Sequence, residues 1–427
     1  MSFKKNLKWS IIGTLFRYIA QSLSIIILAR LLTPDEFGLI SSSLLLINFV
    51  SIIAQLGGCQ LVITAPEKKI NIILFQSIFT CTLISIIATL LIYVYSGKIY
   101  NLFTTVDISS YISVLVWSLL LKGITVSFEG YLLRNSLFKS IAIYDSTSFI
   151  FGYFLPSVIL AVLNYGVWSL IIATILQPAI YFILVLKKCY HLRMKLRISF
   201  ENYFETLKKA VSISYIQIIS NVSGQVDNFI VSRYLGIEKL GFYTRAYQLM
   251  IVPCNLIGQI INRVFLKKFS NIDNESSQTI IIEKSIFLNF IFSMFINIAL
   301  ISFGHEIIKM LLGSGWESLV QILIILSFSI YPRIFYKISE PILIAKNRSY
   351  VISKMVTIQM ILMCTTTYIA IKYGLIGISL AVLFSSYIYG FMCAIILLAK
   401  EKKIIKHFFI QITLNLSLLT WYLINYV

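Results

Sequence analysis

The stretch "ARLLTPDEFGLI", residues 29–40, has a close counterpart 203 positions later in "SRYLGIEKLGFY", residues 232–243. Three identical residues coincide at this offset without a gap: Arg30 with Arg233, Leu32 with Leu235, and Gly38 with Gly241. Each copy lies between two long apolar runs. The chain therefore places the same kind of charged hairpin between hydrophobic segments twice, which predicts an internal repeat.

The composition of the 427-residue chain predicts an integral membrane protein, because 58% of its residues are hydrophobic and only 12% are charged. Soluble domains carry about 25% charged and about 45–50% apolar residues, so a water-soluble fold could not bury this much apolar surface. The chain begins like a signal peptide, with Lys4 and Lys5 before an apolar run. However, Arg17 interrupts that run and no small-residue cleavage motif closes it, so we predict a first transmembrane helix instead.

Apolar stretches of about 20 residues, the length that crosses a bilayer, predict twelve or thirteen transmembrane helices. Their predicted positions are 9–31, 38–63, 71–95, 109–132, 142–163, 165–187, 210–234, 241–265, 285–304, 317–340, 351–371, 374–399 and 404–426. The last stretch contains Lys406 and His407 near its start. It can either cross the membrane or lie along its surface.

The basic residues alternate between the two sides of this predicted topology. The inner segments hold most of the 36 Lys and Arg residues, whereas the outer loops hold six: Arg30, Lys98, Arg233, Lys239, Lys309 and Lys372. The positive-inside rule therefore predicts a cytoplasmic N-terminus. Because the net charge of +19 is spread over many loops rather than gathered in one patch, we do not predict a nucleic-acid-binding surface.

Two further similarities extend the repeat through both halves. "NYGVWSLI" from residue 164 resembles "KYGLIGIS" from residue 372, and Glu129 and Glu340 both lie near the end of a fourth helix. We predict an all-α polytopic membrane protein with two six-helix lobes, related by a pseudo-twofold axis along the membrane normal and with the substrate site between them. The predicted domains are an N-terminal lobe at 1–190, a basic cytoplasmic linker at 191–209, a C-terminal lobe at 210–400 and an additional hydrophobic helix at 401–427.

Polar residues at alternating spacings of four and three mark one face of the first and of the seventh predicted helix. They include Arg17, Gln21 and Ser24 in the first helix, and Gln217, Asn221 and Asp227 in the seventh. At the offset of 203, Ser24 aligns with Asp227, so the two stripes occupy equivalent faces. They line either one polar cavity or helix–helix hydrogen-bond seams, and we favour the cavity.

Charged residues in other predicted spans point to the same interior, because charges in lipid are costly and usually face a cavity. These residues are Lys122, Glu129, Arg245, Arg333, Lys337 and Glu340. Helical spacing predicts an ion pair between Lys337 and Glu340, which leaves Arg333 as a free cation. Asp145 lies where it can cap the fifth helix. Any one charge could be structural, but together they predict a net cationic cavity suited to an anionic group such as a pyrophosphate.

The absence of several sequence motifs argues against some classes of function. There is no Gly-rich phosphate loop of the Walker type, the three histidines are far apart, and the six cysteines occur singly. We therefore expect no ATP hydrolysis, no metal site and no cofactor. The predicted outer loops are short, which weakens the case for a glycan polymerase or ligase, and we do not predict an enzyme.

Four segments resemble Wzx-type polysaccharide flippases, and in particular the branch that contains colanic acid and teichuronic acid exporters. They are "SIIGTLFRYIAQSLSIIILARLLTPDEFGLI" from residue 10, "LLRNSLFKSIAIYD" from residue 132, "NYGVWSLI" and "SNVSGQVDNFIVSRYLGIEKLGFYTRAYQL" from residue 220. The resemblance runs across about residues 1–400 and is most specific over 221–247. The family belongs to the multidrug/oligosaccharidyl-lipid/polysaccharide exporter superfamily, which is built from two six-helix lobes. Members of this branch commonly have fourteen helices, whereas this chain offers twelve or thirteen.

The resemblance implies a flippase for undecaprenyl-pyrophosphate-linked oligosaccharides in the bacterial inner membrane, working by alternating access coupled to an ion gradient. The cationic and polar residues would receive the headgroup while the lipid tail stays in the membrane, and Asp227 would couple an ion or proton. Arg30, Gly38, Arg233 and Gly241 would form an outer gate. A polysaccharide polymerase and a chain-length regulator are implied partners.

Several other functions remain open from the sequence. A drug or cation exporter of the same superfamily would favour an acidic cavity, and a lipid II flippase belongs to another branch. A membrane glycosyltransferase or polymerase would show sugar transfer in vitro, and a scaffold subunit would transport nothing.

Overall fold

Every regular element in the described part of the chain is helical. The computed structural model describes residues 3–55, 57–190, 208, 215, 218–269, 275–345, 348–398 and 402–426. The first nine α-helices are α1 Phe3–Leu31, α2 Pro34–Gln55, α3 Gly58–Thr64, α4 Ile70–Phe103, α5 Ser109–Leu115, α6 Trp117–Arg134, α7 Phe138–Ser148, α8 Leu155–Val162 and α9 Val167–Cys189. A π-helical stretch, Phe149–Phe154, joins α7 to α8.

The later helices follow the same pattern. They are α10 Val226–Ile230, α11 Ile237–Phe269, α12 Glu275–Leu312, α13 Leu319–Ser327, α14 Ile330–Ala345, α15 Ser349–Ala370, α16 Gly374–Leu398 and α17 Lys402–Tyr426. A second π-helical stretch, Val231–Leu235, follows α10 directly. It ends one residue before the turn into α11.

Eight helical segments of the described residues are long and apolar enough to cross a membrane. A ninth candidate is the pair α13 and α14, whose axes meet at 42°. One of the eight, Tyr350–Leu397, includes most of both α15 and α16, and another, Phe408–Tyr426, is the apolar part of α17. The predicted class, an all-α polytopic membrane protein, is confirmed.

The chain divides into two compact units. The first comprises Met1–Val222 together with Gly236–Gly241, and the second comprises Ser223–Leu235 together with Phe242–Val427. The predicted linker at 191–209 lies outside the described residues, apart from Lys208. The predicted lobe boundaries therefore stay a prediction.

Small residues bring the helices of the first unit close together. A Cβ atom on Gly130 would lie 2.6 Å from the carbonyl oxygen of Cys59, so α6 and α3 are in backbone contact. Nearby, the Ser77 and Ser127 hydroxyls are 2.7 Å apart and join α4 to α6. Close approach of small residues, with hydrogen bonds between them, is how helices associate in a membrane, where burial of apolar surface gives little drive.

Proline causes the bend between α13 and α14. Pro332 has no N–H to donate to the carbonyl of Phe328, and its ring crowds the same carbonyl. Next to the bend, the Ser329 hydroxyl donates to the carbonyl of Leu326 over 2.6 Å. Arg333 follows directly after this proline, so the bend sets where its side chain points.

Candidate functional site

The first repeated hairpin ends in a capping box at the start of α2. The Thr33 N–H donates to the Glu36 carboxylate over 2.7 Å, and the Glu36 N–H donates back to the Thr33 hydroxyl over 3.4 Å. In the second copy the aligned residues are Gly236 and Lys239, which cannot form these side-chain hydrogen bonds at the start of α11. Gly236 has a φ of 98°, which glycine adopts without strain.

The two glycines of the repeat pack against the opposite copy. Any Cβ atom on Gly38 would overlap the carbonyl oxygen of Ile237, and one on Gly241 would overlap the carbonyl oxygen of Pro34. At the offset of 203, Pro34 aligns with Ile237 and Gly38 with Gly241. The contact is therefore reciprocal, which is the pattern that a twofold relation between two similar surfaces produces. All four residues belong to the first unit.

In the second unit, a buried acid and a buried cation are linked through two tyrosines. Asp227 is fully buried, and it accepts hydrogen bonds from the Tyr243 hydroxyl over 2.7 Å and from the Asn228 N–H over 2.8 Å. Tyr247, one turn further along α11, accepts a 2.9 Å hydrogen bond from Arg333. The Arg333 guanidinium also lies over the Tyr247 ring, 5.1 Å from its centroid.

Lys337 and Glu340 continue this face of α14, where their charges interact, but the described residues show no direct ion pair between them. The Lys337 ammonium group donates to the side-chain oxygen of Asn255, and its stem lies across Gly258. Glu340 instead accepts a 2.7 Å hydrogen bond from the Tyr389 hydroxyl. Both partners come from other helices, whose positions the spacing within α14 cannot reveal.

Arg333 is also not the free cation that the sequence predicted. Besides its bond to Tyr247, it donates from Nε to the Ser329 hydroxyl over 3.1 Å. These partners are neutral, as is the partner of Lys337. The two side chains therefore keep their positive charge uncompensated at hydrogen-bond distance, within the described residues.

In the first unit, Arg17 forms an ion pair with Asp145 of α7. Its guanidinium also lies 5.7 Å from the centroid of the Phe149 ring, at the start of the π-helical stretch. Asp145 lies inside α7 and thus does not cap a helix end as predicted. Glu129 of α6 is close enough to Arg17 for a direct charge–charge interaction.

A glutamate and a tyrosine are associated in both halves of the chain. Glu340 of α14 binds Tyr389 of α16, and Glu129 of α6 interacts electrostatically with Tyr181 of α9. Tyr181 packs beside Phe128 and Leu132, the neighbours of Glu129 on α6. Tyr181 and Tyr389 each lie 15 residues after the glycine of the Tyr-Gly echo, so this pair belongs to the repeat.

The other predicted site residues occupy separate places. Ser24 is buried on α1 and Gln21 is half-buried, while Lys122 is half-buried on α6 and Asn221 is exposed just before α10. Arg245 is buried on α11 and donates to Gln248. Arg30 ends α1 and is exposed, and Arg233 lies half-buried in the second π-helical stretch. Gln217 lies outside the described residues.

Sequence reasoning missed the tyrosines that connect the charged residues. Tyr243 and Tyr247 are four residues apart in the motif after Gly241, a spacing that places both on one face of α11. The sequence shows this spacing, but it does not single out these two residues, because the chain has 25 tyrosines and tyrosine is also common at membrane interfaces. In the described ranges, no three His, Cys, Asp or Glu side chains are placed to hold a metal ion.

Comparison with known proteins gives a family match over most of the chain. Residues 27–321 match the model of a family described as polysaccharide biosynthesis protein. The chain is 24% identical over 361 residues to teichuronic acid biosynthesis protein TuaB of Bacillus subtilis, covering 80% of this chain and 71% of that protein. It is 21% identical over 267 residues to succinoglycan biosynthesis transport protein ExoT of Rhizobium meliloti, covering 62% of this chain but only 53% of that protein.

Among solved structures, lipid II flippase MurJ in its inward closed conformation has a similar fold. The TM-score is 0.79 at 18% sequence identity, over 99% of this chain and 93% of that one. At this identity, the likeness concerns the fold alone. It agrees with the all-helical, two-lobed fold predicted from the repeat.

Proposed function

We propose that this chain, which belongs to the polysaccharide biosynthesis protein family, is a flippase for lipid-linked oligosaccharides. Its substrate is an undecaprenyl-pyrophosphate-linked repeat unit, carried from the inner to the outer face of the bacterial cytoplasmic membrane for a surface polysaccharide. The names of its relatives, which concern teichuronic acid and succinoglycan, support this class of substrate. The chain acts as a transporter and not as an enzyme, with its N-terminus in the cytoplasm.

The observation that carries this proposal is the pair of cations on α14. Arg333 and Lys337 lie one turn apart, and their hydrogen-bond partners are the neutral Tyr247, Ser329 and Asn255. The charges of Asp227 and Glu340 interact with Arg333 and Lys337 respectively, but neither carboxylate forms a direct ion pair with its cation in the described residues. A buried cation whose direct partners are neutral gains from an anionic ligand, and a guanidinium can bind two phosphate oxygens at once. A drug exporter for cations would gain nothing from this arrangement.

In this mechanism the polar and cationic side chains receive the headgroup, while the polyprenyl tail stays in the lipid. Arg17, Gln21, Ser24, Lys122, Gln217, Asn221, Arg245, Arg333 and Lys337 form the proposed binding set. Asp227 couples transport to an ion or proton, because it is the buried acid linked through Tyr243 and Tyr247 to Arg333. Glu129 and Glu340 act as structural or coupling acids. A polymerase and a chain-length regulator would use the exported units.

The two repeated hairpins, with Arg30, Gly38, Arg233 and Gly241, form the proposed outer gate. Its support is the reciprocal backbone contact of Gly38 with Ile237 and of Gly241 with Pro34. Opening the gate would separate these two contacts together.

The proposal is tested by the sidedness of undecaprenyl-linked oligosaccharides in cells that lack the gene and carry variants of it. We expect Arg17→Ala, Arg333→Ala and Asp227→Ala each to leave repeat units at the inner face and to lower surface polysaccharide about tenfold or more, at unchanged protein level. Arg348→Ala removes an exposed arginine outside the site and is the matched control. If deleting the gene leaves surface polysaccharide unchanged, the substrate is something else.

A further inference from the structure

Helix α17 carries two buried polar side chains on the face that it packs against the other helices of the second unit. Gln411 is 8% exposed and Asn415 is fully buried, whereas Ile410 and Leu414 beside them are exposed. A buried polar group in a membrane helix is costly unless it is hydrogen-bonded. The hydrogen-bond partners of these two side chains therefore indicate the role of this face of α17.

Asn415 connects α17 to the first arm of the bent pair, α13. Its side-chain oxygen accepts a hydrogen bond from the Asn297 amide over 3.1 Å. The Asn297 oxygen in turn accepts one from the Ser327 hydroxyl over 2.9 Å. Ser327 is the last residue of α13, and all three side chains are fully buried.

Gln411 connects α17 to the second arm, α14. Its side-chain oxygen accepts a 2.8 Å hydrogen bond from the Tyr331 hydroxyl. One turn earlier on α17, the Phe408 ring lies 4.4 Å from that of Phe335 and 5.8 Å from that of Tyr331, centroid to centroid. The same helix therefore holds both sides of the bend.

The bend needs such support, because Pro332 removes the backbone hydrogen bond that would fix the angle between the arms. Tyr331 and Arg333 are two residues apart on α14, and at about 100° per residue they point to nearly opposite sides of the helix. Tyr331 points to α17, and Arg333 points to Tyr247. Moving the bend would thus move the guanidinium.

We infer that Gln411 and Asn415 are positioning residues, which hold the bend of α13 and α14 so that Arg333 stays in place to bind a pyrophosphate. This inference rests on the proposed function for the identity of the ligand. It makes α17 a working part of the binding site rather than an accessory membrane helix.

The test uses the full chain in lipid nanodiscs, with undecaprenyl pyrophosphate as the probe. Gln411→Leu and Asn415→Leu remove the hydrogen bonds at similar volume, and Ser417→Ala, on the exposed face of α17, is the matched control. We expect binding to weaken about threefold to tenfold in the two variants, the effect of one lost buried hydrogen bond, and not in the control. Hydrogen exchange should speed up in peptides covering residues 326–335.

A double-mutant cycle separates positioning from general destabilisation. In an Arg333→Ala background, Gln411→Leu should have no further effect on binding, because the group that it positions is gone. Equal effects with and without Arg333, or unchanged exchange at 326–335, would overturn the inference. If Gln411→Leu fails to fold, Tyr331→Phe removes the same hydrogen bond from the other end and should give the same result.

The same data distinguish this inference from the proposed function. If Arg333→Ala binds undecaprenyl pyrophosphate as tightly as the unchanged chain, the assignment of the ligand fails. The exchange of residues 326–335 then still decides whether α17 holds the bend.

Discussion

The side chains of Asp227 and Arg333 do not form a direct ion pair, although both are buried in the second unit. Each is bonded to a tyrosine of α11, Asp227 to Tyr243 and Arg333 to Tyr247, and the two rings lie 6.1 Å apart. An acid and a cation connected through phenols can each change partners without leaving a bare charge behind. This suits the proposed roles of Asp227 in ion coupling and of Arg333 in ligand binding.

Tyr243 is predicted to be needed for the stability of the second unit. Tyr243→Phe removes the only side-chain donor seen for Asp227 in the described residues, so a buried carboxyl group loses a hydrogen bond. We expect the free energy of unfolding to fall by about 1–3 kcal/mol. Thermal unfolding of the purified protein measures this.

Tyr234→Phe is the control for that substitution, because the Tyr234 side chain is 53% exposed. It should leave the midpoint unchanged. A loss of stability of the same size in both variants would show that the Asp227 bond is not what Tyr243 contributes.

At the residue scale, the sequence identified the charged groups but not their partners. The positions of Asp227, Arg333, Lys337 and Glu340 were predictable because charges are rare in apolar spans. Their partners lie 16 to 86 residues away along the chain, on other helices. Helical spacing gives only neighbours on the same helix, which is why it suggested Lys337 with Glu340 and not their hydrogen-bond partners Asn255 and Tyr389.

At the scale of single elements, glycine allows the starts of α2 and α11 to come into backbone contact. Gly38→Ala or Gly241→Ala would force a methyl group into a backbone carbonyl of the opposite hairpin. Such overpacking would destabilise the contact between the hairpins by about 1–3 kcal/mol. We expect the proposed outer gate to open more often. The measurement is the rate at which a membrane-impermeant maleimide, added outside, labels a cysteine placed at Ser24.

Labelling should rise about tenfold in either glycine variant, which corresponds to about 1.4 kcal/mol. The double variant should add little more, because the two contacts separate together when the gate opens. Gly97→Ala is the control, since no other atoms lie within 4 Å of the added Cβ. A labelling rate that both hairpin variants leave unchanged would contradict the gate.

Most of the predicted spans coincide with apolar helices, but their interruptions were not predicted. The span predicted at 210–234 lies largely outside the described residues, and those at 9–31 and 241–265 fall in α1 and α11, which are not among the eight segments. The stretch predicted as one span at 38–63 breaks between α2 and α3, where Gly57 has a φ of 66°. The stretch at 317–340 bends at Pro332, and the stretch at 142–163 contains a π-helical segment. Apolar composition determines what crosses a membrane, whereas interruptions depend on single Gly and Pro residues whose effect the packing decides.

At the scale of the whole molecule, the repeat is preserved in some parts and altered in others. Glu129 with Tyr181 and Glu340 with Tyr389 are related pairs, and so are the two hairpin glycines. The position of Asp227 is occupied in the first half by the uncharged Ser24. Arg17 of the first unit forms an ion pair with an aspartate, whereas Arg333 of the second unit binds a tyrosine. Similar helices therefore recur in both halves, whereas the charged side chains on them and their partners differ.

The orientation of the whole chain can be tested through α17. An inner N-terminus, together with thirteen crossings, places the residue after α17 outside the cytoplasm, and the basic residues Lys400, Lys402, Lys403 and Lys406 on the inner side. We expect alkaline phosphatase fused after Val427 to be active and green fluorescent protein fused there to be dark. Insertions after Asp107, between α4 and α5 in a predicted outer loop, and within 191–209 should mark the outer and inner sides respectively.

The opposite result at Val427, with both insertions behaving as expected, would mean that α17 does not cross the membrane. That outcome is disfavoured by its structure, because the apolar part, Phe408–Tyr426, is long enough to span and exposes Ile410, Leu414 and Ile424. Its buried side carries Gln411 and Asn415, which bond to helices that span the membrane themselves. A helix lying along the surface would bury its apolar side and leave its polar side in water. The arrangement of α17 is the reverse, as a transmembrane helix packed on a bundle requires.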